Sequence, residues 1–272
     1  MASFGEVEAT SSSADGSAKA APSSSSTVFD HLETKLACFQ SRDNKELLLQ
    51  WNIDKSLTVE KFRFSGSFVA GDAKEYDRIL SEFFTRPEAM SVIGVSGIAT
   101  TPLTMESDLL NTSIMTMEFF NRFKESGVVS ESGNIRGCFE EIFDGISVGD
   151  KVRELLLNED SENASLFNTE DKKQFIYAIF KLFAVGGAMC QPDVVIDRYL
   201  EMTKSFYREA ITVYKDSKTG EVKLSGRVYS IKQIAGLGLY THPESSHNAF
   251  YAIVDPLKKQ ITVIKYDYKP YW

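Results

Sequence analysis

The chain has 272 residues, 43% of them hydrophobic and 25% charged, with 19 Phe, which is enough for one large domain or two small ones with a sizeable core. A formal net charge of −8 argues against a nucleic-acid binder, and no Lys/Arg-rich block is present to hold an anionic membrane surface. Three scattered cysteines (Cys38, Cys138 and Cys190), odd in number and without a CxxC pair, argue against a disulfide framework and for a reducing compartment.

No apolar signal-peptide core follows Met1, and no stretch reaches transmembrane length. The Ser/Ala-rich start holds Glu6, Glu8 and Asp15 and no Arg, unlike a transit peptide. A soluble intracellular chain is expected. Residues 1–27, with Ser11 to Ser13 and Ser23 to Ser26, have the composition of a disordered tail. Residues 28–272 are then a single domain.

Helical spacing is predicted over Phe29, Leu32 and Leu36, and again over Leu47 to Trp51 after a turn at Ser41-Arg42-Asp43. Val59 to Val69 alternates like a strand. Lys74 to Phe84 is an amphipathic helix that Pro87 ends. Ser91 to Val95 reads as a short buried strand, followed by the extended TPLTME segment. Ile114 to Phe123, Asn134 to Phe143 and Asp150 to Leu157 are predicted as further helical turns, and Thr169 as the N-cap that leads into the central helices.

The centre of the chain is FIYAIFKLFAV, Phe175 to Val185, apolar on nearly every face and too short to span a bilayer, hence a core helix. Gly186-Gly187 ends it, and a second helix is predicted to begin at Asp193 after Pro192. Beyond Ile211 the period changes to two. Ala210 to Tyr214 and Val222 to Ile231 flank a turn-rich link, and Ala249 to Val254 faces Ile261 to Tyr266 across Asp255 to Lys259. The predicted class is α+β: a helix-rich body with short early strands and C-terminal antiparallel hairpins around one main core.

Common site patterns are absent: there is no Walker loop, no GxGxxG and no HExxH. Gly236-Leu237-Gly238-Leu239 lacks the third Gly and reads as a turn. His242 and His247 lie near Glu244 in a loop, a poor zinc arrangement, and no metal or cofactor is expected. One catalytic alternative is Cys190, His247 and Asp255, in the Cys…His…acid order of papain-like hydrolases, with Cys190 just ahead of a helix N-terminus that would favour thiolate. Against it, Cys190 follows a buried helix as a core cysteine would, and Gln191 lies after the cysteine, where those enzymes carry their oxyanion Gln before it. Acidic Glu159, Asp160, Glu162 and Glu170 are candidates for steering a basic partner, and the terminal Tyr268, Tyr271 and Trp272 for anchoring in one.

Four segments carry a family resemblance: Glu118 to Glu141, Leu155 to Phe167, Phe180 to Val213 with its GGAxCQ and YLExTKxxY elements, and Ala249 to Tyr266. From about Trp51 to about Tyr266 the chain resembles the cilia- and flagella-associated protein 300 family. The resemblance implies a non-enzymatic role in motile cilia, in cytoplasmic preassembly of outer and inner axonemal dynein arms and their delivery with intraflagellar transport. It implies kintoun, a PIH-domain assembly factor, and axonemal dynein subunits as partners, and locates the protein in cytoplasm and axoneme. It supplies no catalytic residue or cofactor.

Overall fold

The computed structural model describes residues 27–33, 35–69 and 71–270. The expected tail falls outside them, except for Thr27. That residue is buried, and its oxygens accept hydrogen bonds from Arg78 and Arg86.

Strand β1 (Phe29–Leu32) leads through a short 3-10 turn to helix α1 (Arg42–Gln50), whose first turn is capped by the Ser41 hydroxyl accepting from Asn44 N. Strand β2 (Leu57–Phe64) precedes α2 (Ala73–Phe84), α3 (Pro87–Val92) and a two-residue β3 (Ser96–Gly97). Then come β4 (Met105–Leu110), the single turn α4 (Arg122–Glu125), and the hairpin β5 (Gly137–Phe143) and β6 (Ile146–Asp150). Helices α5 (Lys151–Leu157), α6 (Thr169–Lys172), α7 (Phe175–Val185) and α8 (Ile196–Ala210) form the central body. The chain ends in a small hairpin, β7 (Val213–Lys215) and β8 (Val222–Leu224), then β9 (Arg227–Ile234), β10 (Leu237–Gly238), β11 (Ala249–Asp255) and β12 (Gln260–Tyr266).

Early and late strands share one six-stranded sheet in the order β1-β2-β12-β11-β9-β4, antiparallel throughout. Successive strand side chains point to opposite faces. On β11, Phe250, Ala252 and Val254 therefore face one apolar cluster, while Tyr251 and Ile253 face another. The first cluster is roofed by α2 and α3, which bury Tyr76, Ile79, Leu80, Phe83 and Phe84. The second lies under α7 and α8. The mixed α+β class holds, and the single core expected from sequence is divided by the sheet into these two layers.

Helix α7 is buried at every position except Ala178 and Lys181. It stops at Gly186, whose φ of +70° suits glycine, and a Cβ there would lie 2.6 Å from Cys190 Sγ and 2.8 Å from the Trp51 carbonyl. The glycine pair is thus where the loop of Cys190 closes onto the end of α1: Gly187 N donates to Trp51 O and Gln191 N to Gln50 O.

Several local expectations change. Phe29 to Leu32 is a strand, because its backbone pairs with Lys61 to Phe64 and that pairing overrides a weak helical spacing. Ser91 to Val95 completes α3 and its closing turn. Pro87 opens that helix at its first position, where a missing N–H is harmless. Ile114 to Phe123 yields only a 3-10 turn (Met117–Asn121) before α4. Gly137 to Phe143 is the strand β5: Asp144 and Gly145 take φ of +47° and +81°, the geometry of a two-residue hairpin turn. The N-cap of α6 is Asn168, in a reciprocal capping box with Asp171, one residue before the Thr169 expected. Helix α8 starts at Ile196, because the Asp193 carboxylate is engaged elsewhere, accepting from Trp51 Nε1 at 2.9 Å and pairing with Arg198 at 3.2 Å.

Candidate functional site

Under α7, on the α8 side of the sheet, lies a cavity of about 450 Å³. Its roof is the α7 face carrying Tyr177, Ala178, Lys181 and Val185, positions that recur on one side of a helix. Leu155 and Leu156 of α5 form a wall, and Tyr251 and Tyr266 rise from the sheet below. At the mouth, the Asp144 turn of the β5–β6 hairpin meets the loop before β11. Ser246 Oγ donates to the Asp144 carboxylate at 2.7 Å, and His247 Nε2 donates to the Asp144 carbonyl at 3.1 Å. Tyr266 Oη closes the inner end by donating to Gly186 O at 3.1 Å.

Burial lowers the pKa of Lys181, with Lys172 adding to the effect while Glu159 and Asp144 oppose it. Burial likewise lowers that of His247, so the imidazole is neutral at pH 7, and its bond to a carbonyl places the proton on Nε2. Tyr251 is pushed up to about 12 by burial. Lys181 is a group that the sequence pattern conceals. A single lysine inside an otherwise apolar helix is its one signal, and the apolar run around it reads as uniform core.

The structure does not assemble Cys190, His247 and Asp255 into a catalytic group. Asp255 ends β11, whose start lies six residues earlier and just after His247. At roughly 3.3 Å per residue this puts the carboxylate about 20 Å down the strand from that end. It is consumed there as a turn cap, accepting from Ser225 Oγ at 2.7 Å and from the backbone N–H of Leu257 and Lys258. Cys190 lies six residues ahead of α8, so no helix terminus favours its thiolate. Burial instead raises it to about 11. Its sulfur fills the space over Gly186, as a packing cysteine does.

Of the acidic candidates, Glu159, Asp160, Glu162 and Glu170 are all exposed. Glu162 pairs with Lys151 at 2.6 Å and Glu170 with Lys173 at 2.8 Å, while Glu159 borders the cavity. Tyr268 is turned inward, 3% exposed, with its ring 4.8 Å from that of His247, and so offers no exposed anchor. Tyr271 and Trp272 lie outside the described residues. The most exposed aromatic among the described residues is elsewhere: on β5, at a register shift between Gly137 and Glu141, Phe139 is 94% exposed, with Ile142 at 76%. A groove of about 510 Å³ runs between this strand and α5, bordered by Phe139, Glu141, Glu154, Lys151 and Glu162. Among the described residues no cluster of three or more His, Cys, Asp or Glu is placed to hold a metal, and no helix is long and apolar enough to cross a membrane.

Among known proteins, the family described as cilia- and flagella-associated protein 300 matches residues 26–266. Cilia- and flagella-associated protein 300 of Chlamydomonas reinhardtii is 31% identical over 241 residues, covering 84% of this chain and 92% of that protein. Its namesake in Paramecium tetraurelia is 26% identical over 236 residues, covering 84% and 88%. No solved structure matches. The match takes in every described residue from Thr27 to the end of β12, so it spans both layers of the core. The chain belongs to the cilia- and flagella-associated protein 300 family.

Proposed function

We propose that this protein is a non-enzymatic interaction factor for the cytoplasmic preassembly of outer and inner axonemal dynein arms and their intraflagellar-transport-dependent delivery. Its partners on this reading are a kintoun-like PIH-domain factor and dynein subunits, met in cytoplasm and carried to the axoneme of the motile cilium. The observation that carries the proposal is membership of a cilium- and flagellum-associated family across nearly the whole folded chain. Two features support it. The residues of the one catalytic arrangement suggested by sequence have separate structural duties, and the β5–β6 hairpin presents bare apolar side chains.

The partner surface on this reading is the acidic flank of Glu159, Asp160, Glu162 and Glu170 continued onto the hairpin. Phe139 and Ile142 supply anchors, and Glu141 and Glu154 lie beside them, so the fitting occupant is a basic, extended partner segment with an apolar side chain for the groove. The test is affinity capture from the cytoplasm of cells regrowing cilia, read by mass spectrometry. Dynein chains recovered together with a PIH-type factor are the expected result. Recovery of the protein alone, or only from salt-resistant axonemes, would overturn the assembly role.

A further inference from the structure

The six-stranded sheet ends at β4, and that edge is only partly closed. In an antiparallel strand the N–H and C=O of one residue point to one side, and those of the next residue to the other. Just past β4, Asn111 N donates to Lys173 O and Phe175 N donates to Asn111 O, a parallel bridge on the side away from β9. The same parity turns the N–H and C=O of Ser107 and Leu109 outward, while Asp108 and Leu110 bond to β9. The far side of the sheet agrees: Ser65 N donates to Val28 O and Phe64 N to Lys259 O, and the registers carry that alternation strand by strand to β4. Among the described residues no segment lies beside Ser107 and Leu109. The chain makes one bridge and leaves, because Gln174 is already the N-cap of α7.

The side chains at this edge are of two kinds. Leu109 lies opposite Tyr229, on the α2 side of the sheet, and is 53% exposed. Lys232 pairs with Asp108 at 2.9 Å and with Glu106 at 3.7 Å, and Lys173 pairs with Glu170 at 2.8 Å. Three carboxylates thus share two ammonium groups. Two copies of β4 laid edge to edge would set Asp108 against Asp108 or Glu106, so the acids disfavour self-pairing. A basic strand meets no such penalty. We propose that the outer edge of β4 is a docking site at which an extended segment of another protein, alternating apolar and basic residues, adds as a seventh strand. Its backbone takes up the N–H and C=O of Ser107 and Leu109 and continues the ladder that Asn111 and Gln174 begin. An apolar side chain covers Leu109, and a basic one lies beside Asp108. The site uses other residues than Phe139 and Ile142 and does not rest on the dynein-arm reading.

The test uses the full chain and a fluorescein-labelled octapeptide of alternating valine and lysine, read by anisotropy and by amide hydrogen exchange. In the free chain the amides of Ser107 and Leu109 are expected to exchange fast and those of Asp108 and Leu110 slowly, and the peptide should protect the first pair. Leu109→Pro removes an N–H that the fold does not use, so it should melt like wild type and bind the peptide about fivefold more weakly or worse. If it fails to fold, Glu106→Gln with Asp108→Asn carries the test, with a loss of similar size. A valine–glutamate peptide of the same pattern should bind more weakly still. Only alternate N–H groups of the peptide can face the edge. N-methylation of every valine and N-methylation of every lysine should therefore differ, one removing binding and the other sparing it. The double change Phe139→Ser with Ile142→Ser should leave binding intact. Protection of Ser107 and Leu109 in the free chain would mean that this chain covers its own edge, and would overturn the site. So would wild-type affinity in the folded edge variant, equal effects of the two methylations, equal binding of the acidic peptide, or loss of binding in the hairpin variant.

Discussion

The two faces of the sheet solve the same problem in different ways. Beneath α2 the layer is filled by interlocking rings: Phe83 stands edge-on to Phe29, Phe62 and Phe84, with ring centroids between 4.9 and 5.3 Å apart. Beneath α7 the apolar layer opens at one edge into a cavity that Lys172, Lys181, Glu159 and Asp144 line together with leucines and tyrosines. A face that exists only for stability gains from filling every void, since interiors are packed like organic crystals. The incompletely filled α7 face gives up some of that stability.

The contrast is broken most directly by removing volume from the closed face. Phe83→Ala should destabilise the chain by about 3–5 kcal/mol in a urea titration, because the surrounding rings cannot collapse into the space. Adding volume to the open face is expected to do the reverse: Ala178→Leu should change stability by less than about 1 kcal/mol, or raise it. A large loss there would mean that the cavity is already full. Gly186→Ala lies between these limits, at about 2 kcal/mol or more, from a Cβ in a left-handed backbone that meets both Cys190 and Trp51. Asp255→Ala should lose about 1–3 kcal/mol, the value of a buried turn cap.

The smallest effects are pH-dependent, and their signs are opposite. Cys190 is raised to about 11 from 9.0 by burial, so the folded chain keeps a proton that the unfolded chain releases. Its contribution is whole below pH 9.0 and fades as pH rises towards 11. Lys181 is lowered from 10.5, so below that value the unfolded chain binds the extra proton, and stability rises with pH through this window. Denaturation midpoints of Cys190→Ala and Lys181→Met against wild type separate the two: the first should flatten the alkaline loss, the second the rise. Alkylation supplies a companion reading. Cys190 should react more slowly than a free thiol at pH 7 and accelerate only towards pH 11. Rapid labelling below neutrality would restore the nucleophile that the fold argues against.

Much of this fold was legible. The hairpin of β11 and β12 was visible from alternation across Asp255 to Lys259, and α2, α5 and α7 from apolar spacing and caps, because in those stretches local pattern and tertiary burial agree. Where they disagree, the sequence misled. Phe29 to Leu32 has little strand character of its own and is held by pairing with β2. The β5 strand carries Phe139 and Ile142 facing solvent, so its apolar residues imitate an amphipathic helix, although Asp144-Gly145 is a hairpin signal in plain view. That early and late strands would join one sheet was not readable, since pairing partners some 200 residues apart leave no local trace. Of the site, the acidic flank was readable as charge. The cavity was not, because it depends on which of α7's faces meets β11, and only the lone Lys181 hinted at it.

The proposed function has the chain work by contact and not by catalysis. Re-expression in ciliated cells from which the protein has been removed tests it, with dynein arms and motility scored before rescue and for two folded variants. Cys190→Ala is expected to restore both. The double change Phe139→Ser with Ile142→Ser is expected to restore neither, despite an unchanged melting temperature. Failure of Cys190→Ala to rescue while folded, together with full rescue by the hairpin variant, would contradict the account.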